Sequence, residues 1–331
     1  MKESLPSIAK QMMADSKGLL AADESAKTCQ KRFDALKIAC TPESRRQWRQ
    51  LLCMSPNIDL YISGVILYDE TIRQKTDDGL SFADALSKTG IIPGIKVDMG
   101  LVPMDNFEPA TITEGLDGLS IRLKEYYDLG ARFTKWRSAF DINNELSESV
   151  VRANMLVMAR YASIAQTAGM VPIVEPEVLY EGQHYIEKSA KYTEMVIKIL
   201  FEELDMLKVN LSGLILKTSM VLAGNKSPVS KPEEVASATL KVLNSAVPKE
   251  VPGIVFLSGG QSPDQATANL NSIGSQGEQP WPITYSYSRA VQDPVLKLWK
   301  NKAVNIKKAQ VKFSQLLAQN SAARNGDYLN K

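Results

Sequence analysis

Histidine is almost missing from this chain: His184 is the only one in 331 residues. Histidine is the commonest transition-metal ligand, so a zinc site built on two or three of them is excluded. Cysteine is also scarce. Cys29, Cys40 and Cys53 are odd in number, fall near the N-terminus and have no metal-ligand spacing, which points to a reducing compartment. Neither a metal nor another cofactor is expected. No apolar run reaches the ~18 residues of a membrane span, and Met1 to Lys17 has no signal-peptide apolar region and carries Glu3 and Asp15. Charge of one sign is lacking too. The 39 basic and 37 acidic residues leave a formal net charge of +2, which gives no electrostatic reason to expect nucleic acid or an anionic membrane as partner. The expectation is a cytoplasmic protein acting on a small molecule. An anionic substrate would have to be held by a local cluster. His184, between Gln183 and Tyr185, reads as a surface loop residue.

What is present is a substantial apolar fraction, 44% of residues, arranged as eight short runs. They are Gly18 to Asp23, Gly64 to Asp69, Gly94 to Asp98, Ala131 to Arg137, Val171 to Glu177, Leu214 to Lys217, Ile254 to Ser258 and Ile283 to Arg289. Most are rich in branched apolar residues, as buried parallel strands are. Helical patterns lie between them. In Ser147 to Thr167, Val150, Val151, Met155, Met158, Ala159, Ala162 and Ile164 can share a stripe. Glu187 to Leu207 is a second such segment. Pro232 to Leu243 is a third, with Ser230 as candidate cap, and Asp293 to Leu317 is a long helical C-terminal region. Strands alternating with helices imply right-handed βαβ units. Eight units suggest an α/β fold of the (β/α)8 TIM-barrel type, with helical extensions before Gly18 and after about Val291. A doubly wound open sheet is the alternative. No linker or composition break divides residues 1–331, so one domain is expected.

Lys217 ends the run Leu211 to Met220. A lysine at the end of a buried strand is costly unless it is paired or neutral. A desolvated lysine is also the nucleophile that forms a Schiff base with a carbonyl. The other runs end in polar or charged residues as well: Asp23, Lys135 and Arg137, Glu175 and Glu177, Ser258, and Arg289. In a barrel these ends form the active-site face. Strand side chains alternate with period two, so Lys135 and Arg137 share a face, as do Glu175 and Glu177, while Thr134 and Trp136 point away. With those faces inward, a second cation such as Lys135 favours the neutral form of Lys217. The bland alternative is a salt-bridge network plugging the barrel mouth.

Ser258-Gly259-Gly260-Gln261-Ser262 follows the seventh run and opens a helix, where glycine and backbone N–H groups suit a phosphate. Arg289 ends the eighth run, next to the seventh in a closed barrel, at the recurrent phosphate position of that architecture. Ser25 and Thr28 offer a second, weaker phosphate position.

Taken together, these residues resemble class I fructose-bisphosphate aldolase, the metal-free, Schiff-base kind, from about Leu19 to Tyr328. The resemblance rests on Leu20-Ala21-Ala22-Asp23-Glu24-Ser25, Ser63 to Leu67, Gly94 to Asp98, Glu114 to Leu119, Lys135-Trp136-Arg137, Pro172 to Glu177 and Phe256 to Ser262. It implies a sugar-phosphate lyase in which Lys217 forms the imine and Glu175 serves as acid and base. Asp23 takes the C4 hydroxyl proton, Lys135 assists by charge and Arg137 by positioning, with Glu177 beside them. Ser258, Gly259, Ser288 and Arg289 would hold the C1 phosphate, and Ser25, Thr28, Lys31 and Arg32 stand near the C6 phosphate. A homo-oligomer, dimer or tetramer, is also implied. A related lysine aldolase or transaldolase and an inert scaffold are the competing readings. Intact Asp23, Lys135, Glu175 and Lys217 weigh against the scaffold.

The chain departs from the family pattern at several points. Met99 stands where a lysine often follows Gly-Ile-Lys-Val-Asp. Lys-Pro-Asn-Met becomes Lys217-Thr218-Ser219-Met220. Tyr-Gly-Arg becomes Tyr287-Ser288-Arg289, and Thr-Gly becomes Ala26-Lys27. The sequence stops at Lys331, whereas animal members continue into a tail ending in tyrosine that helps protonate the enamine. Bacterial members resemble several of these substitutions. The expectation is an internal acid, Glu175 first and Tyr287 second.

Overall fold

The computed structural model describes residues 3–328. Eight parallel strands follow one another in chain order around a single sheet: β1 Gly18–Ala21, β2 Ile62–Leu67, β3 Ile92–Lys96, β4 Phe133–Phe140, β5 Val171–Val178, β6 Ile215–Thr218, β7 Ile254–Phe256 and β8 Ile283–Tyr285. The last strand meets the first. The Ala21 N–H donates to the Tyr287 carbonyl at 3.1 Å, and Thr284 Oγ1 donates to the Lys17 carbonyl at 2.8 Å. The sheet is thus a (β/α)8 barrel, and the open-sheet alternative is set aside. Each apolar run coincides with a strand. The eighth is shorter than its run: β8 ends at Tyr285, Ser288 caps a new helix, and Arg289 is that helix's first residue.

Period-two alternation builds two cores. Leu19, Ala21, Ile66, Phe133, Val171, Ile173, Ile215 and Val255 fill the barrel interior. Leu20, Val65, Leu67, Trp136, Val174, Leu216 and Phe256 face outward, under the helices. Along several strands the inward series starts apolar and ends charged: Leu19, Ala21, Asp23; Phe133, Lys135, Arg137; Val171, Ile173, Glu175, Glu177; Ile215, Lys217. The barrel is therefore oily at its base and ionic at the carboxyl ends of its strands. Gly94 keeps this packing feasible, because a Cβ there would lie 2.2 Å from the Phe133 ring.

An N-terminal helix, Leu5–Met12, closes the base with Ile8, Ala9 and Met12. The outer helices include Glu148–Thr167, Ile186–Met206 and Pro232–Ala246. The first buries the expected stripe except Ile164, which is only half-buried; Ala165 takes its place. The third is capped by Lys231 rather than Ser230: the Lys231 N–H donates to Glu234 Oε2 at 3.0 Å. The C-terminal helical region is two helices, Arg289–Trp299 and Ile306–Arg324, because Lys300 and Asn301 both take positive φ between them. After β3 an antiparallel hairpin, Gly100–Pro103 with Thr111–Glu114, leaves the barrel; Gly100 and Leu101 line the mouth. Among the described residues, no helix is long and apolar enough to cross a membrane.

Candidate active site

A cleft of about 970 Å³ opens at the carboxyl ends of the strands. At its floor four charged side chains stand in contact. Lys135 Nζ lies 2.7 Å from Asp23 Oδ2 and 3.0 Å from Glu175 Oε2, and Lys217 Nζ lies 3.2 Å from Glu175 Oε1. All four are buried, Lys217 with 3% of its surface exposed. Alternation places them: Leu216 and Trp136 point into the outer core, so Lys217 and Lys135 must point into the barrel.

Burial alone would raise the Asp23 carboxyl, but the Lys135 ammonium and then Lys217 outweigh it and hold the group down at about 2. Glu175 is desolvated in the same way, and Lys135, Lys217 and Arg137 pull it below the ordinary carboxylate range. Burial acts against charge on Lys135, yet Asp23 and Glu175 raise it, so this lysine stays cationic. Lys135 is therefore not the bare cation beside Lys217 that the sequence suggested. Two carboxylates balance its charge.

A second layer surrounds the floor. The Arg137 guanidinium pairs with Glu177 through Nε, and its backbone N–H donates to Asp98 Oδ2 at 3.3 Å. Lys96, aligned with Lys135 across the β3–β4 ladder, donates from Nζ to the Asp98 carbonyl at 2.7 Å. Lys96 and Asp98 were not singled out from the sequence, although Ile92, Gly94 and Lys96 continue the period-two series. Ser286 was missed likewise. It is buried, lines the cleft, and its Oγ has no hydrogen-bond partner among the described residues. Tyr285 and Tyr287 belong to the outer core, so Thr284, Ser286 and Ser288 face inward by the same rule.

On the rim, Ser258 and Gly259 line the cleft, and the next helix starts after the Ser262 cap. Gly259 and Gly260 have φ of +57° and +95°, a conformation glycine adopts readily. The Arg289 guanidinium lies against Gly260, within 3.8 Å of where its Cβ would be. Ser288 Oγ donates to Glu24 Oε1 at 2.6 Å. Ser25 and Thr28 also line the cleft, with hydroxyls 3.2 Å apart.

Two expected phosphate residues lie elsewhere. Arg32 does not line the cleft; it is bound to Glu24, to Gln292 Oε1 at 3.0 Å and to Asp293 Oδ1 at 2.7 Å, a tie between two helices. Lys31 is exposed and off the cleft. Tyr287 is fully buried, its hydroxyl donating to the Ala266 carbonyl at 3.1 Å, so it faces away from Lys217. His184 is buried, not a surface residue; desolvation and then the nearby Lys188 lower its basicity. Among the described residues, no group of three His, Cys, Asp or Glu side chains is placed to hold a metal ion.

A buried lysine held against a carboxylate at the mouth of a barrel, beside a second lysine that bridges two carboxylates and a rim with a glycine loop and an arginine, fits the class of lysine-based aldol enzymes. The comparisons make this specific. Residues 4–331 match the family described as fructose-bisphosphate aldolase class-I. The chain is 47% identical over 329 residues to a probable fructose-bisphosphate aldolase class 1 of Xanthomonas campestris, covering 98% of each chain. It is also 47% identical over 315 residues to cytosolic fructose-bisphosphate aldolase 4 of Arabidopsis thaliana, covering 94% of this chain and 80% of that one. A solved structure of fructose-bisphosphate aldolase from Plasmodium falciparum superposes with a TM-score of 0.97 at 42% identity, covering 99% of this chain and 95% of the other. The chain belongs to the class I fructose-bisphosphate aldolase family.

Proposed function

We propose that this protein is a metal-independent lyase. It cleaves fructose 1,6-bisphosphate reversibly to dihydroxyacetone phosphate and glyceraldehyde 3-phosphate through an imine on Lys217. The observation that carries the reading is the contact of buried Lys217 with Glu175, 3.2 Å from Nζ to Oε1, inside a closed charge cluster. The Nζ atom attacks the C2 carbonyl carbon. Glu175, ionised at rest, takes the protons that Nζ sheds and passes them to the carbinolamine oxygen, which leaves as water; among the described residues it is the carboxylate that touches Lys217. The protonated imine then draws the electron pair of the C3–C4 bond as that bond breaks, and Asp23 takes the C4 hydroxyl proton. Asp23 is ionised throughout the neutral range and so is ready to accept it. Lys135 bridges the two carboxylates and keeps both in register. The aldehyde leaves, the enamine is protonated at C3, and water releases the ketone and regenerates Lys217.

Arg137 and Glu177 brace the β4–β5 side of the cleft. Ser258, Gly259, Ser286, Ser288 and Arg289 form the rim that receives the C1 phosphate. The same reading places the protein in the cytoplasm, as one homo-oligomer of two or four chains; sedimentation velocity measures the latter. Borohydride reduction in the presence of dihydroxyacetone phosphate, followed by peptide mapping, tests the central step. The expected adduct is on Lys217. An adduct on Lys135, or none, overturns the mechanism.

A further inference from the structure

Eight cations line the cleft, and most are already committed. Arg73 is paired with Asp69 and Glu125, Lys96 with Asp98, Lys135 with Asp23 and Glu175, Arg137 with Glu177, and Lys217 with Glu175. Arg122 donates to the carbonyls of Val97 and Gly115. Among the described residues, Lys27 and Arg289 are the two lining cations whose side chains make no hydrogen bond or ion pair. Arg289 lies against Gly260, at the rim after β7 and β8. Lys27 stands on the other part of the wall, formed by the segments after β1, β2 and β3. There it is the one uncommitted cation, between Ser25 and Thr28, whose hydroxyls are 3.2 Å apart. The β3 side of that wall offers Met99, 70% exposed and without charge.

We infer that Lys27 is the specificity-determining cation for the second phosphate of the substrate. The inference rests on the function proposed above and adds to it the residue that distinguishes a bisphosphate from a monophosphate. A substrate joined to Lys217 with its C1 phosphate at Arg289 carries its far phosphate toward the remaining wall. A dianion there needs a cation on the cleft wall that has no carboxylate of its own; Arg32 and Lys96 are each paired with a carboxylate and Lys31 is off the cleft, whereas Lys27 meets both conditions. An exposed ammonium gains less from the contact than a buried one, so the effect lies at the lower end for charge-assisted bonds, about tenfold.

The test compares fructose 1,6-bisphosphate with fructose 1-phosphate in Lys27→Ala, Lys27→Arg and Lys31→Ala. Lys27 is exposed, so these variants should fold. Lys27→Ala should lower kcat/KM for the bisphosphate about tenfold, through KM, and change the monophosphate by less than about twofold. Lys27→Arg should recover most of the loss, and Lys31→Ala should behave as wild type. Calorimetric binding of the two sugars to Lys217→Met, with and without Lys27→Ala, reads the same preference where no imine can form, so it stands apart from the chemistry. Loss of the bisphosphate preference in that background supports the inference even if borohydride traps nothing. An unchanged preference, or an equal fall for both sugars, overturns it even if Lys217 is trapped.

Discussion

Lys135 Nζ and Asp23 Oδ2 stand 2.7 Å apart at the end of an apolar barrel, with both side chains less than a tenth exposed. Their pairing makes each charge tolerable where little water reaches it. Removing one member therefore does more harm than losing one ion pair, because the other is left buried and uncompensated. Lys135→Met should lower the free energy of unfolding by about 3–5 kcal/mol and raise the Asp23 carboxyl from its depressed position. Urea unfolding measures the first and carboxylate NMR the second. A variant as stable as wild type would mean that the cluster is well hydrated.

The same pair sets a dependence on acid. The Asp23 carboxyl falls from an ordinary 3.8 to about 2 in the folded chain. Its folded value is depressed, so its contribution to stability is fully present above the unfolded value and is lost as pH falls through the folded one. From the size of the shift that contribution is about 2 kcal/mol. The stability gap between wild type and Asp23→Asn should therefore shrink between pH 4 and pH 2. Urea unfolding across that range checks it. A gap that stays constant would contradict the assignment of the low value to Asp23.

Why the floor of the site was readable in advance, and parts of its rim were not, follows from geometry. Strand periodicity is local. Once Trp136 and Leu216 are taken as core residues, Lys135 and Lys217 must face the other way, and no further information is needed. The rim depends on where strands stop and on what captures long side chains. Arg289 reads as a strand end, yet the chain turns at Ser288 and makes it the start of a helix. Arg32 reads as a phosphate ligand, yet Glu24 and Asp293, far apart in sequence, converge on it. Lys96 and Ser286 were legible by alternation, but a lysine followed two residues later by an aspartate looks like an ordinary exposed pair. His184 is buried by packing against the Gly224 segment, a long-range contact that no local pattern carries.

Among the described residues Arg289 has no anionic partner, and it lies at the Gly259-Gly260 loop, so its charge is available to a ligand. Arg289→Ala should raise KM for fructose 1,6-bisphosphate by removing a charge-assisted contact of about 1.5–3 kcal/mol. It should leave the yield of imine on Lys217 unchanged at saturating substrate. Steady-state kinetics and borohydride trapping provide the two readouts. An unchanged KM would show that Arg289 points away from the bound phosphate.

Enamine protonation needs an acid near C3 of the bound ketone, and the structure narrows the choice. Tyr287 is buried in the outer core with its hydroxyl on Ala266. Tyr328 lies beyond the last helix, its backbone N–H donating to Asn271 Oδ1 at 2.8 Å. Asn271 is near the C-terminal end of the helix Pro263–Gly274, which runs down from the mouth, so Tyr328 sits at the base of the barrel. Glu175 is in contact with Lys217 and is the group in place to relay a proton to C3. Tyr287→Phe and Tyr328→Phe should then keep kcat and the rate of C3 proton exchange within about twofold of wild type, since neither hydroxyl reaches the imine. Glu175→Gln should lower exchange by about 10²–10⁴-fold, the usual worth of general-acid help. Imine formation also uses Glu175, so exchange must be normalised to the borohydride-trapped fraction; the deficit should survive that correction. A large loss in Tyr328→Phe would mean that the C-terminal segment leaves the base of the barrel and reaches the mouth during turnover.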